Sequence, residues 1–121
     1  MAANVLVDCG FLVALLGRHD SNHVWAAALA PRFPPPWKTC EAVLSETSLL
    51  LGTRGTPALV LLLRRGALLC EYRFADDMDT VLKLLAKYAD VPMSFADACL
   101  VRIIETLNDP ILLTTDADFR V

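Results

Sequence analysis

The chain has 121 residues, 55% of them hydrophobic and 21% charged, with a formal net charge of −3. That size and apolar content predict one compact domain with a substantial core, and they exclude a disordered chain. The acid excess excludes a basic field spread over the whole surface, so a nucleic acid has to be met through a local patch or a bound cation.

No membrane span is predicted. The apolar stretches, such as ALVLLLRRGALLC (58–70), are interrupted by arginines and fall short of the roughly 20 residues that cross a bilayer. The leading MAANVLVDCGFLVALLGR has no basic opening and carries Asp8 in its middle, which argues against a signal peptide and for a cytoplasmic protein. Cys9, Cys40, Cys70 and Cys99 are widely spaced, with no CxxC pair. They read as reduced core thiols, not as zinc ligands.

In chain order, NVLVD (4–8) is a nearly continuous apolar run rich in valine, the pattern of a strand buried on both faces of a parallel sheet. FLVALL and SNHVWAAALA read as helical pieces separated by the polar turn GRHDSN. PRFPPPWK (31–38) is a proline-rich connector leading to a short extended piece around Trp37 to Cys40. EAVLSETSLLLG (41–52) predicts a helix stopped by Gly52, and TPALVLLLRRG (56–66) a second one opened by Thr-Pro and closed by Gly66. ALLCEYRF (67–74) is a strand candidate. DDMDTVLKLLAKYAD (76–90) and SFADACLVRIIETL (94–107) read as helices, NDP as a turn and ILLTT (111–115) as a last strand. Strands alternating with helices predict an α/β domain around a mainly parallel sheet.

Most of the 14 acids fall in helix first turns, in loops or on solvated faces. Asp76, Asp77 and Asp79 open a helix, where the macrodipole favours them. Four others call for another account. Asp8 and Asp116 each end a strand, and ligands of parallel α/β sheets sit beyond the carboxyl ends of strands. Each could also be a loop-capping aspartate. Glu46 has Ala42, Val43, Leu49 and Leu50 as its helical neighbours, so it is expected in a core stripe, where a carboxylate is costly unless it finds a partner or snorkels to an edge. Asp97 fits a capping box with Ser94, yet Leu100, Val101 and Ile104 place it on an inward face as well. If these carboxylates converge, their mutual repulsion of several kcal/mol calls for a proton or a cation. Hard oxygen ligands suit Mg²⁺ or Mn²⁺, which can activate water for phosphoryl displacement.

The segments VLVDCGFLVALL, TCEAVLSETSLLL, SFADACLVRIIE and ILLTTDADF, in this order and spacing, resemble a PIN domain of the VapC type, the toxin ribonucleases of bacterial toxin–antitoxin pairs. DSNHVWAAA (20–28) resembles the polar, His-bearing opening of that family's second helix. The resemblance implies a three-layer α/β/α sandwich over 1–121 and a Mg²⁺- or Mn²⁺-dependent endoribonuclease that leaves a 5′-phosphate and a 3′-hydroxyl. It implies Asp8, Glu46, Asp97 and Asp116 as the catalytic acids. Asp8 and Asp97 would hold the metal directly, with Asp116 completing the metal set and Glu46 acting through water. Thr115 would be a supporting hydroxyl. It further implies an RNA substrate, a homodimer and inhibition by a cognate antitoxin. Two departures stand out. Cys9 and Gly10 follow the first aspartate where the family carries a small hydroxyl residue, and the chain stops at Val121, where the family continues into a further edge strand.

Two other readings keep the same acids. A receiver-like domain phosphorylated on aspartate would suit the length, but Asp8 is followed by Cys9 and TTDADF has no lysine. A PIN scaffold without catalysis would bind a partner only, and the presence of all four acids argues against it.

Overall fold

The computed structural model describes residues 4–116. The expectations that fall on Asp118 and on the chain end at Val121, the missing edge strand among them, lie outside the described residues.

Among the described residues four strands form one sheet: β1 (Asn4–Val7), β2 (Trp37–Lys38), β3 (Leu68–Leu69) and β4 (Pro110–Leu113). Their order is β3-β2-β1-β4 and every pairing is parallel. This order differs from the 2-1-3-4-5 order of receiver-like domains, which sets that alternative aside. β1 lies between two neighbours, and Val5, Leu6 and Val7 are buried, as the continuous apolar run predicts. The register pairs Val7 with Leu113, so β1 and β4 end side by side.

Five helices cover the sheet in the α/β/α arrangement: α1 (Cys9–Leu16), α2 (His23–Leu29), α3 (Glu41–Arg64), α4 (Met78–Lys87) and α5 (Phe95–Thr106). α2 and α3 each pack on α1, α4 packs on α5, and α3 also meets α5. Phe11 sits at the centre of the first group, edge-on to Trp25 at 6.1 Å and to Trp37 at 5.7 Å between centroids. His23 fixes α2 to the end of α1 through a 2.8 Å contact of Nδ1 with the Ala14 carbonyl.

The helix expected to stop at Gly52 does so: α3 is two helical halves that meet at a kink there, where φ is 67° and ψ −169°, angles only glycine adopts without strain, and the second half begins directly after it. Thr56 Oγ1 donates to the freed Gly52 carbonyl at 2.6 Å, and Pro57 falls early enough in the second half for its missing N–H to go unneeded. Two other expectations change on inspection. The strand expected over 67–74 is only Leu68–Leu69, because the rest of that segment runs as coil into a short 3-10 turn, Phe74–Asp76. Asp77 is more than a helix-opening acid. Arg102 donates to it through Nε at 2.8 Å and Nη2 at 3.2 Å, and the Tyr72 hydroxyl donates at 2.7 Å, which ties α4 to α5.

No helix among the described residues is long and apolar enough to cross a membrane. All four cysteines are free thiols, with Cys40 and Cys99 fully buried.

Candidate active site

Chain direction decides where the acids go. β1 and β4 run parallel and end together, so Asp8 and the Thr114–Asp116 segment emerge at one edge of the sheet. The Asp8 amide donates to the Leu113 carbonyl at 3.3 Å, which continues the pairing one step past the strands. α1 starts immediately behind Asp8, and Oδ1 of Asp8 accepts from the Phe11 amide at 2.9 Å, capping that helix. The capping role weighed in the sequence is therefore real, and it leaves the other carboxylate oxygen directed elsewhere. Oδ2 accepts a short hydrogen bond from the Thr114 hydroxyl.

Asp97 is placed by the same device. Ser94 caps α5 by accepting from the Asp97 amide at 3.0 Å, and Oδ2 of Asp97 accepts from the Ser94 amide at 3.1 Å. Two helix N-termini thus arrive at one sheet edge, each with an aspartate in its cap. Their positive ends offset part of the negative charge gathered there.

Asp8, Glu46, Asp97 and Asp116 line one pocket of about 270 Å³, together with Thr115, Ser94 and Cys9. All four acids singled out in the sequence are brought together, and Thr115 with them. Glu46 reaches the pocket for a different reason from the one expected. Its face of α3 is not a core stripe, since Leu49 is 81% and Leu50 66% exposed. The buried face carries Val43 and Thr47, and Glu46 itself is exposed at the border of that face. No core partner is needed, because the carboxylate stands in solvent at the pocket mouth.

The electrostatics record the crowding. Burial pushes the Asp8 carboxyl above its ordinary 3.8; the Thr114 hydroxyl and the Phe11 amide pull it back, while Asp116 and Asp97 add to the rise. Burial likewise raises the Cys9 thiol, with Thr47 opposing and Glu46 and Asp8 reinforcing. Cys9, which stands where a hydroxyl residue was expected, leaves Asp8 well supported, because its hydrogen bonds come from Phe11 and Thr114.

Thr114, which holds Asp8, is the hydroxyl that sequence reasoning passed over when it singled out Thr115. Extending the Val7–Leu113 register by one residue sets Asp8 opposite Thr114, so the strand pairing carried the signal. Thr115 stands instead over Gly10, where any Cβ would collide with its Oγ1. Gly10 is therefore required by this close approach.

A family comparison matches the PIN domain over residues 5–121. The chain belongs to the PIN domain family. Among solved structures, the crystal structure of VapC20 from Mycobacterium tuberculosis, described as a Sarcin-Ricin loop cleaving toxin, superposes with a TM-score of 0.86 at 26% identity. The match covers 96% of this chain and 92% of VapC20. No curated protein matches in sequence. The PIN fold and the VapC-like character expected from the sequence both hold, and the acids discussed above fall within the matched PIN region.

The donor set fits a hard divalent cation. Its oxygens are carboxylates and hydroxyls, beside the Cys9 thiol that burial keeps protonated, and Mg²⁺ is characteristically held by one or two carboxylates while it keeps several waters. Among the described residues no three His, Cys, Asp or Glu side chains stand close enough to ligate one ion together. Asp97 keeps Oδ1 outside its capping bond, which leaves that oxygen available to a ligand.

Proposed function

We propose that this chain is a Mg²⁺- or Mn²⁺-dependent endoribonuclease, the toxin of a toxin–antitoxin pair. One observation carries the reading: four acids from β1, α3, α5 and the end of β4 line a single pocket at the carboxyl edge of a parallel sheet. PIN-family membership and the likeness to an RNA-cleaving toxin support it.

In this reading Asp8 and Asp97 would hold the ion directly, while Asp116 and Glu46 would engage it through water and complete the acidic pocket. When bound, the ion supplies a lowered water pKa and neutralises charge on the phosphate. Asp8 is oriented by Phe11 and Thr114, and Asp97 by Ser94, so both carboxylates are held before substrate arrives. Glu46, exposed and free of hydrogen bonds to the described residues, would accept the proton of the attacking water. Water would add to phosphorus as the bond to the 3′-oxygen breaks, and that oxygen would take a proton from solvent, leaving a 5′-phosphate and a 3′-hydroxyl. Thr115 lines the same pocket and would support substrate or water there.

A second copy and a cognate antitoxin are the proposed protein partners. Large apolar side chains stand open on the surface, including Val24 at 81%, Leu49 at 81% and Leu50 at 66% exposure, as in chains that associate. The free thiols and an RNA substrate fit a cytoplasmic protein.

The test compares RNA cleavage by the wild type, Asp8→Asn and Asp97→Asn with Mg²⁺, Mn²⁺ or EDTA. Cleavage by the wild type alone, lost in EDTA and restored by metal, is expected. Equal cleavage by all three proteins, or none under any metal, would leave a partner-binding PIN scaffold instead.

A further inference from the structure

A second cavity, of about 510 Å³, adjoins the acidic pocket, and Asp97 and Asp116 belong to the walls of both. Besides those two carboxylates, Glu105 and Lys87, its lining is apolar and aromatic, with Tyr88, Val91, Pro92 and Met93 contributed by the connection from α4 to α5. Nζ of Lys87 lies 5.3 Å from the centroid of the Tyr88 ring, so a cation accompanies the aromatic surface. Tyr88 is 36% and Val91 51% exposed, and the Tyr88 hydroxyl makes no hydrogen bond to the described residues. A ring held at the edge of a cavity, with a cation beside it and carboxylates opposite, contributes little to the core.

We propose that this cavity seats a nucleobase next to the cleaved phosphodiester, stacked on Tyr88, with Lys87 meeting a neighbouring phosphate. The proposal rests on the endoribonuclease reading above. Every base offers a π-face to an aromatic side chain, and single-stranded RNA is held in this way without demanding one sequence. Glu105 lines the same cavity and can accept from a base amino group, as carboxylates do. A nucleobase suits the lining better than an apolar peptide side chain, because its polar edge can meet carboxylates that an apolar group would only desolvate.

The experiment measures binding by fluorescence anisotropy in an Asp8→Asn background, where cleavage does not interfere. The probes are labelled single-stranded RNA of about ten nucleotides and an abasic ribose–phosphate chain of equal length. Tyr88→Ala is expected to weaken RNA binding about ten-fold, Tyr88→Phe to leave it unchanged, and neither to alter binding of the abasic chain. Lys87→Gln is expected to weaken both probes and to lower the salt dependence by about one phosphate contact. The base seat is overturned if Tyr88→Ala binds RNA like its parent, or loses the abasic chain to the same degree. It is equally overturned if Tyr88→Ala weakens a cognate antitoxin while RNA binding stays intact. Wild-type cleavage, assayed separately, keeps the two readings apart. Base-dependent binding without cleavage supports the seat and removes the nuclease reading, whereas cleavage with base-independent binding does the reverse.

Discussion

Thr114 joins Asp8 to Asp116. Its hydroxyl donates to Oδ2 of Asp8 and accepts from the Asp116 amide at 2.9 Å, so one side chain spans two of the four pocket acids. Since Oδ1 of Asp8 is committed to the Phe11 amide, Thr114 sets where the remaining oxygen points.

Thr114→Val keeps the shape of the side chain and removes this link. Cleavage is expected to fall about 10- to 100-fold, the usual effect of removing a group that orients a metal-binding side chain. Stability should drop by about 1–2 kcal/mol, because Oδ2 of Asp8 loses a donor in a buried setting. Thr114→Ser should restore most of the rate. Single-turnover rates and urea denaturation of the three proteins check this; a Val variant that cleaves like the wild type would leave Thr114 without an orienting role.

Asp97 has two duties that mutation can separate. It completes the α5 capping box with Ser94, and it lines the acidic pocket. Asn can still accept from the Ser94 amide, so Asp97→Asn should leave the melting temperature nearly unchanged while cleavage falls on the order of 100-fold or more. Ser94→Ala should behave in the opposite sense, costing about 1 kcal/mol of stability with a smaller loss of rate. If rate and stability fall in parallel for both variants, Asp97 is a helix cap only.

Much of this site could be read from residue order, because its logic is one-dimensional. A strand-ending acid in a parallel sheet lies at the carboxyl edge wherever the strand sits, so Asp8 and Asp116 were placed by the apolar runs NVLV and ILL alone. Ser94 and Asp97 announced their cap by their spacing of three. Glu46 was found by an argument that fails in detail, since apolar neighbours imply burial only when another element covers them, and nothing described covers Leu49 or Leu50. What residue order concealed depends on pairing between distant segments. Thr114 and Thr115 are indistinguishable until β1 and β4 are in register, and Asp77 looks like any first-turn acid until α5 brings Arg102 beside it. β3 was over-extended because ALLCEYRF carries strand-like residues throughout, while only Leu68 and Leu69 find a partner in the short β2.

Asp8 should cost stability in the absence of metal. Its carboxyl is raised above 3.8 chiefly by burial, so the folded protein holds that proton more tightly than the unfolded chain. Folding then favours the protonated form, and stability declines as pH rises from the unfolded value through the folded one. Metal-free Asp8→Asn, which cannot ionise, is expected to gain stability relative to the wild type as pH rises above the ordinary 3.8, a common exchange of function for stability. The gain should vanish below the ordinary 3.8, where Asp8 is protonated in both states. Thermal melts in EDTA across this range check it; an Asp8→Asn protein whose stability relative to the wild type does not rise with pH would contradict the assignment.

The Asp77–Arg102 pair should show the opposite dependence. The Arg102 guanidinium holds the Asp77 carboxyl below its ordinary 3.8, assisted by the Tyr72 hydroxyl and opposed by partial burial. The side chains are 19% and 20% exposed, so the pair is only partly screened by solvent. A depressed folded value means that the unfolded chain binds the proton more readily. The stabilisation is therefore complete above 3.8 and is lost as pH falls through the folded value. Asp77→Asn should lower stability at pH 7 by about 1–2 kcal/mol, since it removes the charge from a two-pronged contact between α4 and α5. The difference from the wild type should shrink towards zero in strong acid, where the wild-type carboxyl has also lost its charge. Urea denaturation of both proteins at neutral pH and near pH 2–3 measures this. A difference that stays constant with pH would show that Asp77 acts through shape and not through its charge. Cleavage at pH 7 should change far less than in the acidic-pocket variants, because the pair lies outside that pocket.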